Sequence, residues 1–306
     1  MDDVAENPEG LEVDVVTTGA DETGADLTAR AVNSLAACPD PRLRELLGSL
    51  ITHLHHFAVE ASLTESEWMA GIRFLTEVGH TCTDNRQEFI LLSDTLGTSM
   101  LVDLVNHSTG GSATESTVLG PFYVPDSPWR DNGDAITDDL GAEPLLVSGQ
   151  VRDTTGKPLP GAIVDVWQNA TNRLYAVQDE HQARDNLRGR FRTGDDGGFA
   201  FRTVRPVDYP IPDDGPVGRM LAATGRHPWR PAHVHLMVSA DGCTPVTTHI
   251  FDSESKYLDS DVVFGVKRSL VRTFSAHDPA VEAPPPGIPG LWYTADVDIV
   301  LHSTSP

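Results

Sequence analysis

The chain has 306 residues, enough for one large core or two modest ones. Its 45 acidic against 22 basic residues give a formal charge of −23, which repels phosphate backbones and anionic headgroups and argues against nucleic acid or a membrane surface as partner. No apolar run is long enough to span a bilayer, the acidic start "MDDVAENPEG" is unlike a secretory signal, and Cys38, Cys82 and Cys243 lie far apart with no CxxC. A cytoplasmic protein with reduced thiols is therefore expected, with neither a disulfide framework nor a thiolate metal site.

The first 25 residues are acidic and are expected to be flexible. From 26 to 107 apolar residues recur at three and four, the period of helices. "LTESEWMAGIRFLTEVG" opens on Thr64 with Glu67 three residues later, a capping box ahead of the apolar face of Trp68, Ile72 and Leu75. Asp84 and Gln87 are expected to cap "NRQEFILLSDTLGTSMLVDLVNH" in the same way, as one long helix. Residues 108–144 are rich in Gly, Ser, Pro and Asp and form a connector.

From 145 to 306, short alternating runs such as "LLVSGQV", "GAIVDVWQNA", "RFRTGDDGGFAFRTV", "AHVHLMVSADGCTPVTTHIFD" and "ADVDIVLHS" are separated by Gly, Pro and Asp turns, the rhythm of a β-sandwich. The expected fold is mainly β with α, a helical domain followed by a C-terminal sandwich.

Two histidine groups stand out. On a helix, His53 and His56 of "HLHH" share a face while His55 points about 100° away, so the three do not converge on one ion and are assigned to the surface or a subunit contact. In "RPAHVHL", His233 and His235 are two apart on a strand and share a face, roughly 6–7 Å apart at Cα. A bare His-x-His is more often a pair lining a wet sheet face than a metal site. Tyr175 in "WQNATNRLYAVQD" and Tyr209 in "VDYPIP" shift the balance: two of five tyrosines, each in a loop leaving a strand of the same sandwich, suggest a two-Tyr, two-His site. Phenolate oxygen is a hard donor suited to ferric iron, although each ring taken alone could simply pack and hydrogen-bond its hydroxyl.

The order of "VSGQVRDTTGKPLPGAIVDVWQNATNRLY", "GRFRTGDDGGFAFRTVRPVDYPIP", "HPWRPAHVHL" and "THIFDSESKYLDSDVVFGVK" resembles the intradiol ring-cleaving dioxygenases, the catechol 1,2-dioxygenase family, over nearly everything from Ala58 to Val300. "RQEFILLSDTLGTSMLVD" and "YLDSDVVFGVK" are more similar to members that cleave hydroxyquinol than to those that cleave plain catechol. The resemblance implies one non-haem Fe(III) per subunit on Tyr175, Tyr209, His233 and His235. Tyr209 would be the ligand that leaves when substrate binds, and Arg230 would stabilise negative charge developing on the substrate. It places Leu91, Asp94, Val118, Leu119, Gly120, Pro121, Ile211, Pro212 and Val263 around the ring. The substrates would be a small aromatic diol or triol and dioxygen, and hydroxyquinol would yield 3-hydroxy-cis,cis-muconate or maleylacetate in aromatic catabolism. It further implies a homodimer through the helical domain, with a phospholipid at the dimer interface.

Several alternatives stay open at this level. Asp94 either meets a third ring hydroxyl or faces solvent or another protein group. Arg230 is either catalytic or half of a structural ion pair. His249 stands where catechol-cleaving relatives commonly carry Gln, as an imidazole behind the ligands or as an extra ligand. Catechol or chlorocatechol is the rival substrate, and a noncatalytic β-sandwich binding module is the rival of another class.

Overall fold

A computed structural model of the chain describes residues 24–83, 86–107, 111–141, 143–288 and 290–304. Most of the N-terminal stretch expected to be flexible, and Asp84, lie outside the described residues. By its contacts the chain divides into two compact units, one up to Arg73 and one from Phe74 onward.

The first unit holds α1 (Gly24–Asn33), α2 (Pro41–Glu60) and the start of α3 (Glu65–Thr81). The Asp40 carboxylate accepts the backbone N–H of Arg42 and Leu43 with Pro41 at the first helical position, which satisfies donors that helix α2 leaves free. The capping box on α3 is present: Glu67 N–H donates to Thr64 Oγ1 at 3.3 Å and Thr64 N–H to Glu67 Oε2 at 2.9 Å.

In the second unit the run expected to be one long helix is two, α4 (Glu88–Thr95) and α5 (Thr98–His107). Gly97 has φ +76°, a left-handed conformation that ends α4. Gln87 makes no side-chain cap bond there. Glu88 is instead fully buried and pairs with Arg86.

The strands are β1 (Pro144–Asp153), β2 (Ile163–Gln168), β3 (Arg188–Arg192), β4 (Gly198–Val204), β5 (Tyr209–Pro210), β6 (Trp229–Arg230), β7 (His233–Ser239), β8 (Val246–Asp252), β9 (Val271–Arg272), β10 (Ser275–His277), β11 (Trp292–Asp296) and β12 (Ile299–Leu301). Helix α6 (Pro216–Ala223) lies between β5 and β6. One sheet runs β10-β11-β1-β12 with β4 also on β1; the other runs β3-β2-β7-β8-β9; β5 and β6 form a separate pair. Leu145, Val147, Phe199 and Phe201 of the first sheet share one buried cluster with Val164, Val166, Val234, Leu236, Val238 and Ile250 of the second.

Alternation then decides where the chemistry sits. With Val234, Leu236 and Val238 turned into the sandwich, His233 and His235 stand on the other face of β7. That face is buried as well, with Met237 packed against an aromatic cluster of Phe122, Trp167, Tyr175 and Tyr209; a further apolar cluster joins Val78, Leu91, Leu92 and Met100 to Val118, Ile211, Val217, Leu221, Val262 and Val263.

Candidate active site

Strand register assembles the polar residues. His235 lies opposite His249 on β8 and opposite Trp167 on β2, and Tyr209 of β5 lies opposite Arg230 of β6. Tyr175 ends the loop after β2, pinned by Gln178, whose side chain accepts its N–H at 3.0 Å, and its ring stacks on Phe122 at 4.5 Å between centroids. Asp208 clips two segments together: its carboxylate accepts the N–H of Ala232 at 2.9 Å and the hydroxyl of Ser255, so the residue before Tyr209 is tied to the residue before His233.

The four ring donors converge. Tyr175 Oη lies 2.9 Å from His235 Nε2 and 3.3 Å from Tyr209 Oη, and the two Nε2 atoms are 3.1 Å apart. Donors each about 2.0–2.1 Å from one ion and roughly at right angles would be about 3 Å apart, so these separations fit a shared metal ion. Burial first, then the Arg230 cation and the neighbouring imidazoles, hold His233, His235 and His249 well below the ordinary histidine range. All three are neutral near pH 7, the form with a lone pair to give. Burial, then Tyr209, holds the Tyr175 phenol well above its ordinary value, so a cation is what would draw off its proton. Two neutral imidazoles and two phenols form a hard, mixed N/O donor set that suits ferric iron.

His249 belongs to the same cluster of possible ligands, the one group of three His, Cys, Asp or Glu side chains among the described residues that could hold a metal. Its ring is stacked nearly parallel on His233, 18° between planes and 4.5 Å between centroids. It meets His235 edge-on, 79° between planes and 4.1 Å between centroids, so it packs against both members of the His-x-His pair. The "HLHH" residues lie on α2, where His55 Nδ1 meets Thr28 Oγ1 at 2.9 Å and His53 and His56 are exposed.

Arg230 is 3% exposed and reaches three partners. Its Nη1 donates to Tyr209 Oη at 3.3 Å and lies 3.4 Å from His233 Nε2, while Nε and Nη2 donate to Asp261 at 3.0 and 3.2 Å. Burial works against the charge, but Asp261 outweighs it and the guanidinium's pKa is raised. Asp261 also accepts the N–H of Val263 and Gly265, and so holds the loop that carries Val263. Sequence reasoning missed Asp261 and Asp208, because nothing local marks a loop aspartate whose partner lies 31 or 24 residues away.

Leu91, Val118, Ile211 and Val263, expected around a substrate ring, share the second apolar cluster. Asp94 is 5% exposed, which disposes of the solvent-facing reading; burial raises its pKa, with the Ser99 hydroxyl and the Arg230 charge acting against the shift. A cavity of about 980 Å³ is lined by Asp94, Val118, Leu119 and Gly120 among others. Gly120, at φ +75°, lies so close to His235 that a Cβ there would be 3.4 Å from its Cε1. Pro121 is exposed and Pro212 half-buried.

Comparison with known proteins shows the family. Residues 118–301 match the family profile described as "Dioxygenase", and residues 40–114 the one described as "Catechol dioxygenase N terminus". The chain belongs to the intradiol ring-cleavage dioxygenases. A hydroxyquinol 1,2-dioxygenase from Rhizobium sp. (strain MTP-10005) is 48% identical over 295 residues, 94% of this chain and 99% of that protein. One from Nocardioides simplex is 48% identical over 90% of this chain and 94% of its own length. The crystal structure of hydroxyquinol 1,2-dioxygenase from Pseudomonas putida DLL-E4 superposes with a TM-score of 0.85 at 48% identity, covering 92% of this chain and 98% of that one. Intradiol dioxygenases generally use non-haem ferric iron, and the histidine cluster fits that use. Family membership makes the chain an enzyme and sets aside the noncatalytic binding module.

Proposed function

We propose that this intradiol dioxygenase cleaves hydroxyquinol with dioxygen, giving 3-hydroxy-cis,cis-muconate or its tautomer maleylacetate in aromatic catabolism. The observation that carries the reading is the convergence of Tyr175, Tyr209, His233 and His235 on one buried point, together with a buried carboxyl at Asp94 that feels the Arg230 charge. One Fe(III) per subunit on those four donors would bind two adjacent ring oxygens and make the ring reactive toward triplet dioxygen.

The chain's own groups do the rest. Tyr209 would be the ligand that gives way, since its Oη already has a second partner in Arg230. The Arg230 guanidinium, fixed by Asp261 in a site closed to water, stabilises negative charge developing on the substrate. Leu91, Val118, Leu119, Gly120, Pro121, Ile211, Pro212 and Val263 enclose the ring. Asp94, buried beside the Ser99 hydroxyl, keeps acceptor capacity for the third hydroxyl that catechol lacks. His249 backs the ligands.

The domain reading is a dimerising helical part (26–107), a connector that helps to form the pocket (108–144) and the catalytic sandwich (145–306). In support, Leu43, Leu46, Leu50, Leu54 and Phe57 repeat at three and four along α2 and are each 45–56% exposed, as expected of a face covered by a second copy. A groove of about 810 Å³ between α1 and α2, lined by Ala29, Val32 and Val59 among others, is where we place a phospholipid chain. No helix among the described residues is long and apolar enough to cross a membrane, and the three unpaired cysteines suit a reducing cytoplasm.

Oxygen uptake by the iron-loaded protein with hydroxyquinol and with catechol, corrected for hydroxyquinol autoxidation, tests the substrate. Hydroxyquinol is expected to be strongly preferred, and Asp94→Val to cut that preference about tenfold or more, the value of one buried polar contact. Catechol turned over equally well by the wild type would remove Asp94 from substrate recognition.

A further inference from the structure

His233 and His235 are equally buried neighbours on one strand face, yet they are held in different ways. His233 Nδ1–H donates to the Pro231 carbonyl at 2.7 Å. That is the usual means of fixing a ligand imidazole whose other nitrogen faces a metal. His235 turns its Nε2 to the same point, but no protein group among the described residues bonds its buried Nδ1. Rings surround it instead. Trp167, opposite on β2, lies flat on it with centroids 4.6 Å and planes 12° apart. His249, opposite on β8, meets it edge-on at 4.1 Å and 79°. Directly opposed residues on neighbouring strands are about 4.5–5.5 Å apart at Cβ, so register alone brings Trp167, His235 and His249 into one row. Tyr123 supports the indole at 4.9 Å.

We propose that Trp167 is a positioning residue for the reaction, its indole fixing the plane of the His235 imidazole by stacking in place of the hydrogen bond that fixes His233. The proposal rests on the reading of His235 as an iron ligand. The ring torsion of a histidine is broad and weakly restrained by itself, so an imidazole without a polar anchor can swing its lone pair out of line. A flat indole on one face and an imidazole edge beside it remove that freedom. The two histidines then differ as donors: an imidazole whose N–H has an acceptor is the more basic, which makes His235 the weaker of the pair.

The test compares wild type with His235→Ala, Trp167→Leu and Trp167→Phe, reading Fe(III) affinity by chelator competition and the ferric electron paramagnetic resonance line shape. His235→Ala is expected to lose most of its iron; retention of wild-type affinity there would remove the ligand reading and the proposal with it. Trp167→Leu is expected to bind Fe(III) roughly 10–100-fold more weakly with an altered line shape, whereas Trp167→Phe, which keeps a stacked ring, stays close to wild type. Wild-type affinity and line shape in Trp167→Leu, alongside iron loss in His235→Ala, would overturn the role of Trp167 alone. Should the leucine variant not fold, nitrogen-15 imidazole spectra of the iron-free wild type carry the test. One ordered His235 ring is expected, and exchange between two ring orientations would overturn the proposal.

Discussion

Arg230 shows how one residue's chemistry depends on a second that the eye passes over. Burying a guanidinium is costly, and Asp261 offsets that cost for Arg230 with two charge-assisted hydrogen bonds. Arg230→Ala is expected to lower kcat by about 10²–10³ while iron stays bound, because it removes charge stabilisation and leaves the four donors in place. Asp261→Asn leaves the cation unpaired and should cost about 3–5 kcal/mol of stability, read by denaturant unfolding. Asp165 makes one separable contribution to the pH dependence. Burial pushes its carboxyl up to about 6, against the pull of Ser127 and Arg190, so the folded protein holds a proton more tightly than the unfolded chain between roughly pH 4 and 6. The Asp165 contribution to stability therefore falls as pH rises through that window, opposite in sign to that of the three histidines held neutral by burial. Asp165→Asn is expected to match wild type near pH 4 and to melt higher above pH 6; an advantage confined to low pH would contradict the assignment. Residue type brought the Tyr and His pairs to notice, since chemistry of that kind is written in the side chain itself, but spacing left simple packing open and the ligand set came from the family resemblance. Asp208, Asp261 and Trp167 were not, because their significance lies in which distant segment they meet.

Among the elements, the strands were the most legible, because inward and outward residues alternate with a period of two. "AHVHLMV" encodes both a core face and a site face in seven letters. The helices were less so. An apolar run through Gly97 has the same local pattern whether it continues or turns, and only the left-handed backbone at that glycine decides. Helix α6, eight residues behind a glycine with no side-chain cap, offers little signal, and its start is organised from elsewhere: Glu88 of α4 accepts the Val217 N–H at 3.2 Å. That buried carboxylate also pairs with Arg86, so it joins two elements 129 residues apart in sequence. Glu88→Ala should therefore destabilise the second unit by about 3 kcal/mol or more, leaving a helix N–H without its acceptor and the Arg86 cation with Asp214 in place of two carboxylates. Glu88→Gln, which keeps an acceptor for Val217, is expected to lose less. Equal losses would mean that the ion pair alone matters.

For the whole molecule, charge and apolar surface oppose each other. A chain of formal charge −23 repels its own copies, while the exposed leucine stripe of α2 favours covering by one. Dimerisation through that stripe is therefore expected to tighten as salt screens the repulsion, and Leu50→Glu within it to give monomers by light scattering. Dissociation on adding salt would point to an interface built from ion pairs. The enzyme is expected to break the bond between two hydroxylated ring carbons and to insert both atoms of dioxygen. The most direct measurement is the mass spectrum of the product formed from hydroxyquinol under oxygen-18 gas. One labelled oxygen in each of two new carboxylates, on an open-chain hydroxymuconate or maleylacetate, is the predicted result; a semialdehyde, from cleavage beside the diol, would contradict it.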